Sequence, residues 1–296
     1  MVTRHTKRYN THMHDIPKDI TLRNGLTMPR VGLGVWQAKG KEAEQAVRWA
    51  LEAGYRLIDT ASAYQNEEEV GKGIRESGIP RKDIFLTTKV WNDDQGYDTT
   101  LAAIDLSLQK LGTDYVDLYL IHWPFTGVPW PFTDEAAIND PAHNKRAETW
   151  EAMEAILASG KAKSIGVSNY LITHLEEMKT YAKTQPAVNQ IELHPFWYRK
   201  ELMDYCHAHD IVVEGYSPLS RAKKLMDPRV TTIAATYGKS NAQILLRWSL
   251  QHGNVVIPKS VHEERIAENI DIFDFQLSPE DMAALDALDE NRSAIF

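Results

Sequence analysis

Eight short apolar runs, each followed by a segment with helical periodicity, predict an α/β fold whose parallel sheet closes on itself as a (β/α)8 TIM barrel. The eight units favour a closed barrel over an open sheet, and two further observations fit a single domain of that kind. The chain has 296 residues, near the size of one such barrel. It also holds no Gly/Ser-rich or Pro-rich boundary and no low-complexity segment that would divide it.

The runs read as strands are 31–35, 56–60, 84–90, 116–122, 162–167, 188–192, 211–216 and 254–258. Between them, segments 41–53, 67–77, 99–111, 146–158, 171–180 and 200–209 carry the helical pattern. Ahead of the first unit, two strand-like stretches (20–23 and 28–31) flank Asn24-Gly25, a hairpin signal, and this N-terminal β-hairpin is expected to plug the bottom of the barrel. Two additional helices break the simple alternation. One arises because 230–237 and 243–252 both precede the eighth strand. The other starts at Ser278, read as an N-cap with Pro279 in the first helical position. Residues 1–15 read as a disordered tail and 16–296 as a single barrel domain. The longest connection, 123–145, is rich in aromatic residues and proline, and is expected to form a lid or wall at the barrel mouth.

Apolar residues make up 43% of the chain and charged residues 25%, the balance of a soluble globular protein. With 33 basic and 41 acidic side chains the net charge is −8, which argues against a nucleic-acid partner. No apolar run approaches the length a membrane helix needs. The N-terminus lacks the apolar core of a secretory signal. The single cysteine, Cys206, cannot form an intramolecular disulfide, which suits a reducing compartment. A cytoplasmic, monomeric protein is the expectation.

Active sites of β/α barrels lie at the C-terminal ends of the strands. There the second strand ends in Asp59, with Tyr64 on the loop beyond it. The third ends in Lys89 and the fourth in His122. Singly, each has an ordinary reading: a turn cap, a rim aromatic, a core histidine. At three successive strand ends they form a consistent acid for carbonyl chemistry. An adjacent Lys89 ammonium would lower the pKa of the Tyr64 phenol, and Asp59 would keep Lys89 charged and oriented. His122 would orient a carbonyl or relay a proton.

These residues lie within motifs that resemble those of the aldo-keto reductase family. The landmarks are GLGVW (32–36), IDTASAY (58–64), TTKVW (87–91), DLYLIHWP (117–124), GVSN (166–169), NQIELHP (189–195), GYSPL (215–219) and IPKSV (257–261), in the family's order across 17–290. The wording is closest to the diketogluconate reductase and prostaglandin F synthase-like branch. The resemblance implies NADPH-dependent reduction of aldehydes or ketones, with Tyr64 as general acid, Lys89 and Asp59 tuning it, and His122 orienting the carbonyl. It implies NADPH held without a Rossmann fold, and no G-x-G-x-x-G follows the first strand.

The phosphate site is expected where the eighth strand enters its helix. Lys259 and Ser260 are read there at a helix N-terminus, with Arg265 a turn further on. Ser260 to Glu263 also fits a capping box, and both readings can hold. By resemblance Lys259, Ser260 and Arg265 take the adenosine 2′-phosphate, and Glu268 and Asn269 meet the adenine. Ser168, Asn169 and Gln190 bind the nicotinamide carboxamide, on which Tyr216 stacks. Ser217 and Leu219 line the pyrophosphate track, and Gly34, Val35, Trp36, Asp59 and Val261 complete the cofactor contacts. Two departures stand out. His262 replaces a small hydroxyl residue, and Ser220-Arg221-Ala222-Lys223-Lys224 replaces a Gly-rich strap, so that Arg221 is expected to grip the pyrophosphate.

For the small-molecule carbonyl substrate, Trp36, Tyr64, Trp91, His122 and Trp123 form the expected pocket, to which Phe125, Trp130 and Phe132 are added from the long connection. No metal site is expected. Cys206-His207-Ala208-His209 looks metal-like, but its spacing does not share a helix face, and surface positions are expected for it. Two rivals are a cofactor-binding regulatory subunit resembling potassium-channel β subunits and a barrel aldolase using Lys89 as a Schiff base. NADPH oxidation by a generic aldehyde separates the first from a reductase, and borohydride trapping the second.

Overall fold

The computed structural model describes residues 16–128 and 141–294. Eight parallel strands follow in chain order, each bonded to its sequence neighbour: β3 (Gly32–Gly34), β4 (Leu57–Asp59), β5 (Phe85–Val90), β6 (Leu118–Ile121), β7 (Ile165–Ser168), β8 (Val188–Glu192), β9 (Val212–Tyr216) and β10 (Val255–Val256). The sheet is closed at one seam by the bridges Val31 to Val256 and Gly34 to Lys259. Gly34 is required there, because a Cβ would approach the Ile257 carbonyl oxygen to 2.9 Å. The expected barrel is therefore observed. Its strands are shorter than the apolar runs. In the eighth run, Pro258 has no N–H to donate, although its carbonyl accepts from Gly34 N–H at 3.1 Å across the seam.

Side chains alternate between the barrel interior and the helical layer. Leu57, Phe85, Leu118, Leu120, Val188, Val212, Val255 and Ile257 fill the inside with Leu22 and Met28, while Ile58, Leu86, Tyr119, Ile121, Val213 and Val256 join the core beneath the helices. Leu22 and Met28 belong to the hairpin of β1 (Asp19–Thr21) and β2 (Thr27–Pro29), which plugs the floor as expected. Its turn has three residues, not the two of a tight Asn-Gly hairpin. Leu22 N–H bonds Leu26 O at 2.8 Å, Gly25 N–H bonds Leu22 O at 2.8 Å, and Gly25 takes φ +85°. Asn24 is drawn to the barrel instead, donating to Lys163 O at 2.9 Å.

Six helices follow the strands: α1 (Lys41–Glu52), α2 (Glu67–Glu76), α3 (Tyr97–Leu111), α4 (Arg146–Ser159), α5 (Ile172–Met178) and α6 (Lys200–Ala208). Two successive helices, α7 (Pro228–Tyr237) and α8 (Asn241–Gln251), precede β10. The second begins earlier than its apolar pattern because Ser240 and Gln243 form a reciprocal capping box. After β10 come α9 (Glu263–Ile270) and α10 (Pro279–Asp286), the latter capped by Ser278 with Pro279 in its first turn, as read from the sequence. The expected tail, 1–15, and Trp130 and Phe132 lie outside the described residues.

Candidate active site

Asp59 closes β4, and the chain then turns through a short 3-10 helix, Ser62–Tyr64, that carries Tyr64 over the barrel mouth. Four hydrogen bonds hold this turn. Ser62 Oγ donates to Lys89 O at 3.0 Å, Thr60 Oγ1 donates to Asn66 Oδ1 at 2.8 Å, and Asn66 Nδ2 donates to Val35 O and Ala38 O, each at 3.0 Å. Lys89, fully buried on β5, donates to both Asp59 oxygens and to Thr60 O at 2.8 Å, and reaches the Tyr64 hydroxyl at 3.5 Å. His122 follows β6, with its ring edge-on to Tyr64 (5.6 Å between centroids) and to Trp91 (5.2 Å). All four residues read from the strand ends therefore converge on one rim.

The electrostatics differ from the expectation at one point. Tyr64 is held well above the ordinary phenol range, by burial first and then by the charges of Asp59 and Glu214. The expected lowering by Lys89 does not appear, because three acceptors already surround that ammonium and Asp59 offsets its charge. Those acceptors also oppose a nucleophilic amine. Burial pushes the Asp59 carboxyl up, against Lys89 and Gln190. His122 is held well below the ordinary imidazole range by burial and by Lys89, so its ring is neutral at pH 7, and its buried Nδ1 has no partner among the described residues. A neutral phenol and a neutral imidazole side by side can both donate to one carbonyl oxygen.

A model of the aldo/keto reductase family matches residues 30–290. The chain belongs to that family. It is 49% identical over 273 residues to glyoxal reductase of Bacillus subtilis, covering 92% of this chain and 93% of that protein. It is 45% identical over 277 residues to the 9,11-endoperoxide prostaglandin H2 reductase of Trypanosoma cruzi, covering 92% of each. The crystal structure of an aldo/keto reductase from Brucella melitensis superposes with a TM-score of 0.83 at 50% identity, covering 93% of this chain and all of that one. The protein is thus an oxidoreductase acting on carbonyl compounds, in a family that uses NAD(P)H.

In this reductase, the residues assigned to the nicotinamide form one network across β7, β8 and β9. Tyr216 OH donates to Asn169 Oδ1 at 2.8 Å. Asn169 Nδ2 donates to His122 O and to Ser168 Oγ, each at 3.1 Å, and Ser168 Oγ donates to Gln190 O at 2.8 Å. Gln190 Nε2 donates at 2.8 Å to Asp59 Oδ2 and Glu214 Oε2. Both its N–H groups are thereby used.

Beyond β10, Lys259 is exposed and Ser260 buried. The helix N-terminus lies further on than expected, with His262 as N-cap of α9. Ser260 does not cap it: its Oγ accepts from His262 N–H at 3.1 Å, closing a tight turn, so the capping box is not formed. Arg265 is exposed in the first turn of α9, and neither Lys259 nor Arg265 has an ion-pair partner among the described residues. Two unpaired cations beside free helix N–H groups fit an anionic phosphate. Val261 and Glu268 are partly exposed and Asn269 is buried along the same stretch.

Gly34 and Val35 are buried at the seam, with Trp36 half-exposed beyond them. The strap after β9 carries Ser217 and Leu219, and Ser220, Arg221 and Ala222 take left-handed φ of 50°, 50° and 61°. Arg221 lies 4.7 Å over the Trp36 ring, joining strap to pocket wall. Trp91, Trp123, Phe125 and Val128 form a separate apolar cluster, fastened by Gln95, whose amide donates to Trp123 O and Phe125 O at 2.7 and 3.0 Å.

Cys206 is fully buried, contrary to the expected surface position. His207 contacts Asn254, and His209 stacks on Tyr205. The sequence reading missed Glu214, buried among the interior residues, and Glu192, which accepts from Ser293 Oγ and Ala294 N–H at 2.5 and 2.7 Å. Glu214 is the one carboxylate in the strand VVEGY, and that was the available signal; Glu192 ends a strand that already carries Asn189 and Gln190 and does not stand out in this way.

Proposed function

We propose that this reductase uses NADPH to reduce aldehydes and ketones to alcohols, with Tyr64 protonating the carbonyl oxygen. The observation that carries this reading is the Tyr64 hydroxyl, 3.5 Å from a Lys89 ammonium clamped by Asp59 and next to the neutral ring of His122. NADPH supplies the hydride when bound. Lys259, Ser260 and Arg265 would hold its 2′-phosphate, Glu268 and Asn269 its adenine, and the Ser168–Asn169–Gln190–Tyr216 network its nicotinamide. Gly34, Val35, Val261, Ser217 and Leu219 would complete the track.

As the carbonyl carbon is reduced, negative charge develops on its oxygen, and Tyr64 and His122 donate hydrogen bonds where it develops. The Tyr64 proton then passes to that oxygen. Lys89 is the cation nearest the phenolate left behind, and Asp59 holds it in place. Trp36, Trp91 and Trp123 wall the mouth and shield the reaction from water, which suits a substrate with a flat or apolar group next to the carbonyl.

Tyr64→Phe is the direct test. Turnover of nitrobenzaldehyde should fall about 10²-fold or more, the range for a lost general acid, while NADPH still quenches protein fluorescence with an affinity near that of the wild type. A variant that keeps most of its kcat overturns the assignment.

A further inference from the structure

Glu214 lies inside the barrel on β9, two residues below Tyr216, fully buried among residues whose other interior neighbours are mostly apolar. Its Oε2 accepts from Gln190 Nε2 at 2.8 Å, and the same nitrogen donates to Asp59 Oδ2 at 2.8 Å. Its Oε1 has no hydrogen-bond partner among the described residues. One amide thus bridges two carboxyl groups, and the second of them leads through Lys89 to Tyr64. A single ammonium serves this interior layer, so two ionised carboxylates there would leave an unbalanced buried charge.

We propose that Glu214 is a positioning residue for carbonyl reduction: through Gln190 it fixes the Asp59 carboxylate that orients Lys89 beneath Tyr64, and its own protonation state sets the net charge that Tyr64 faces. This rests on the assignment of Tyr64 as the proton donor. The titratable groups that face Glu214 are Asp59 on β4, Lys89 on β5 and Tyr64 beyond β4. From β8 the group facing it is neutral Gln190, and β10 presents Val255 at its register position.

Burial, and then the Asp59 charge, push the Glu214 carboxyl up to about 8. At neutral pH the side chain is therefore an uncharged acid, and Asp59 and Lys89 balance each other. Once Glu214 ionises, the interior carries a net negative charge. The phenolate that Tyr64 becomes on donating its proton then forms against two carboxylates and one ammonium, so donation slows.

Single-turnover reduction of nitrobenzaldehyde by the NADPH-loaded enzyme, followed from pH 6 to 9.5, tests this. In the wild type the hydride-transfer rate should fall about tenfold on the alkaline side, the scale of one like charge acting on an acid at short range, with a midpoint near 8. Glu214→Gln, which cannot ionise but still offers Gln190 an acceptor, should lose that limb. Glu214→Leu should lose it too, and should also slow the step several-fold at pH 7 because the Gln190 bridge has lost one end.

Should one variant not fold, the other still decides the matter. A wild type with no limb near 8, or a limb that survives in a non-ionisable variant, overturns the proposal. Tyr64→Phe separates the two readings. If it retains turnover, the proton-donor assignment fails; if it is inactive while the limb persists without Glu214, only the role of Glu214 fails.

Discussion

The two ends of the barrel interior are built on the same strands from opposite materials. At the floor, β4, β8 and β9 point Leu57, Val188 and Val212 inward against Leu22 and Met28 of the hairpin. Two residues further along, the same strands present Asp59, Gln190 and Glu214. The floor is apolar and is stabilised by removing that surface from water and by close packing. The upper layer buries three carboxyl and ammonium groups, which hold together only through a connected set of hydrogen bonds. A strand's period of two makes this possible, because one step of two residues changes the chemistry without changing the face. The floor carries stability, and the rim carries the residues proposed for the reaction.

The severest way to break this contrast is to move the upper chemistry down. Leu57→Asp places at the floor the group that Asp59 carries above, but with no Lys89 to meet it. An unpaired buried carboxylate costs several kcal/mol, enough to consume most of a domain's stability. Little folded protein should be recovered, and circular dichroism would show an early or absent thermal transition. A variant melting like the wild type would mean that the floor admits water. Met28→Ala is milder: it should lower stability by about 2–5 kcal/mol, as for other buried large-to-alanine changes. Urea unfolding would measure the loss, and the kcat of the folded fraction should stay near the wild-type value. A large fall in kcat would show that the two layers are mechanically coupled.

A third test sharpens the comparison through pH. The Glu214 carboxyl is raised in the folded state to about 8, whereas it titrates near its ordinary value when unfolded. Between those values the folded protein holds a proton that the unfolded chain has released, so this group's contribution to stability declines as pH rises and levels off above the folded value. Glu214→Gln removes that dependence. Its melting temperature relative to the wild type should therefore climb between pH 5 and pH 9, and a constant difference would place an ionised carboxylate at this position throughout.

Much of this layering was legible in the sequence, and the misses have physical causes. Eight apolar runs gave the strand count, and Asp59, Lys89 and His122 stood out because they end such runs. Glu214 was absorbed into the run Ile211–Tyr216, since a strand buried on both faces reads as continuous and hides one charged residue. The Tyr64 shift is set first by burial, then by the Asp59 and Glu214 charges, and motif spacing reveals neither the burial nor Glu214. Ser260 satisfied a local capping pattern, but the tight turn it forms with His262 N–H moves the start of α9 to Glu263.

The seam between β3 and β10 has a consequence for how the molecule is made. Its two sides come from opposite ends of the fold in sequence, so during synthesis β3 leaves the ribosome long before the strand that completes the wall. Until β10 arrives, β3 and β9 are both open edges of a curved sheet, and Asp59, Lys89 and Glu214 face a trough open to water. Such edges invite pairing with other chains, and the last contact to form is the one of longest range. The ion pair at the heart of the site therefore becomes a buried one only when translation of the barrel is nearly finished.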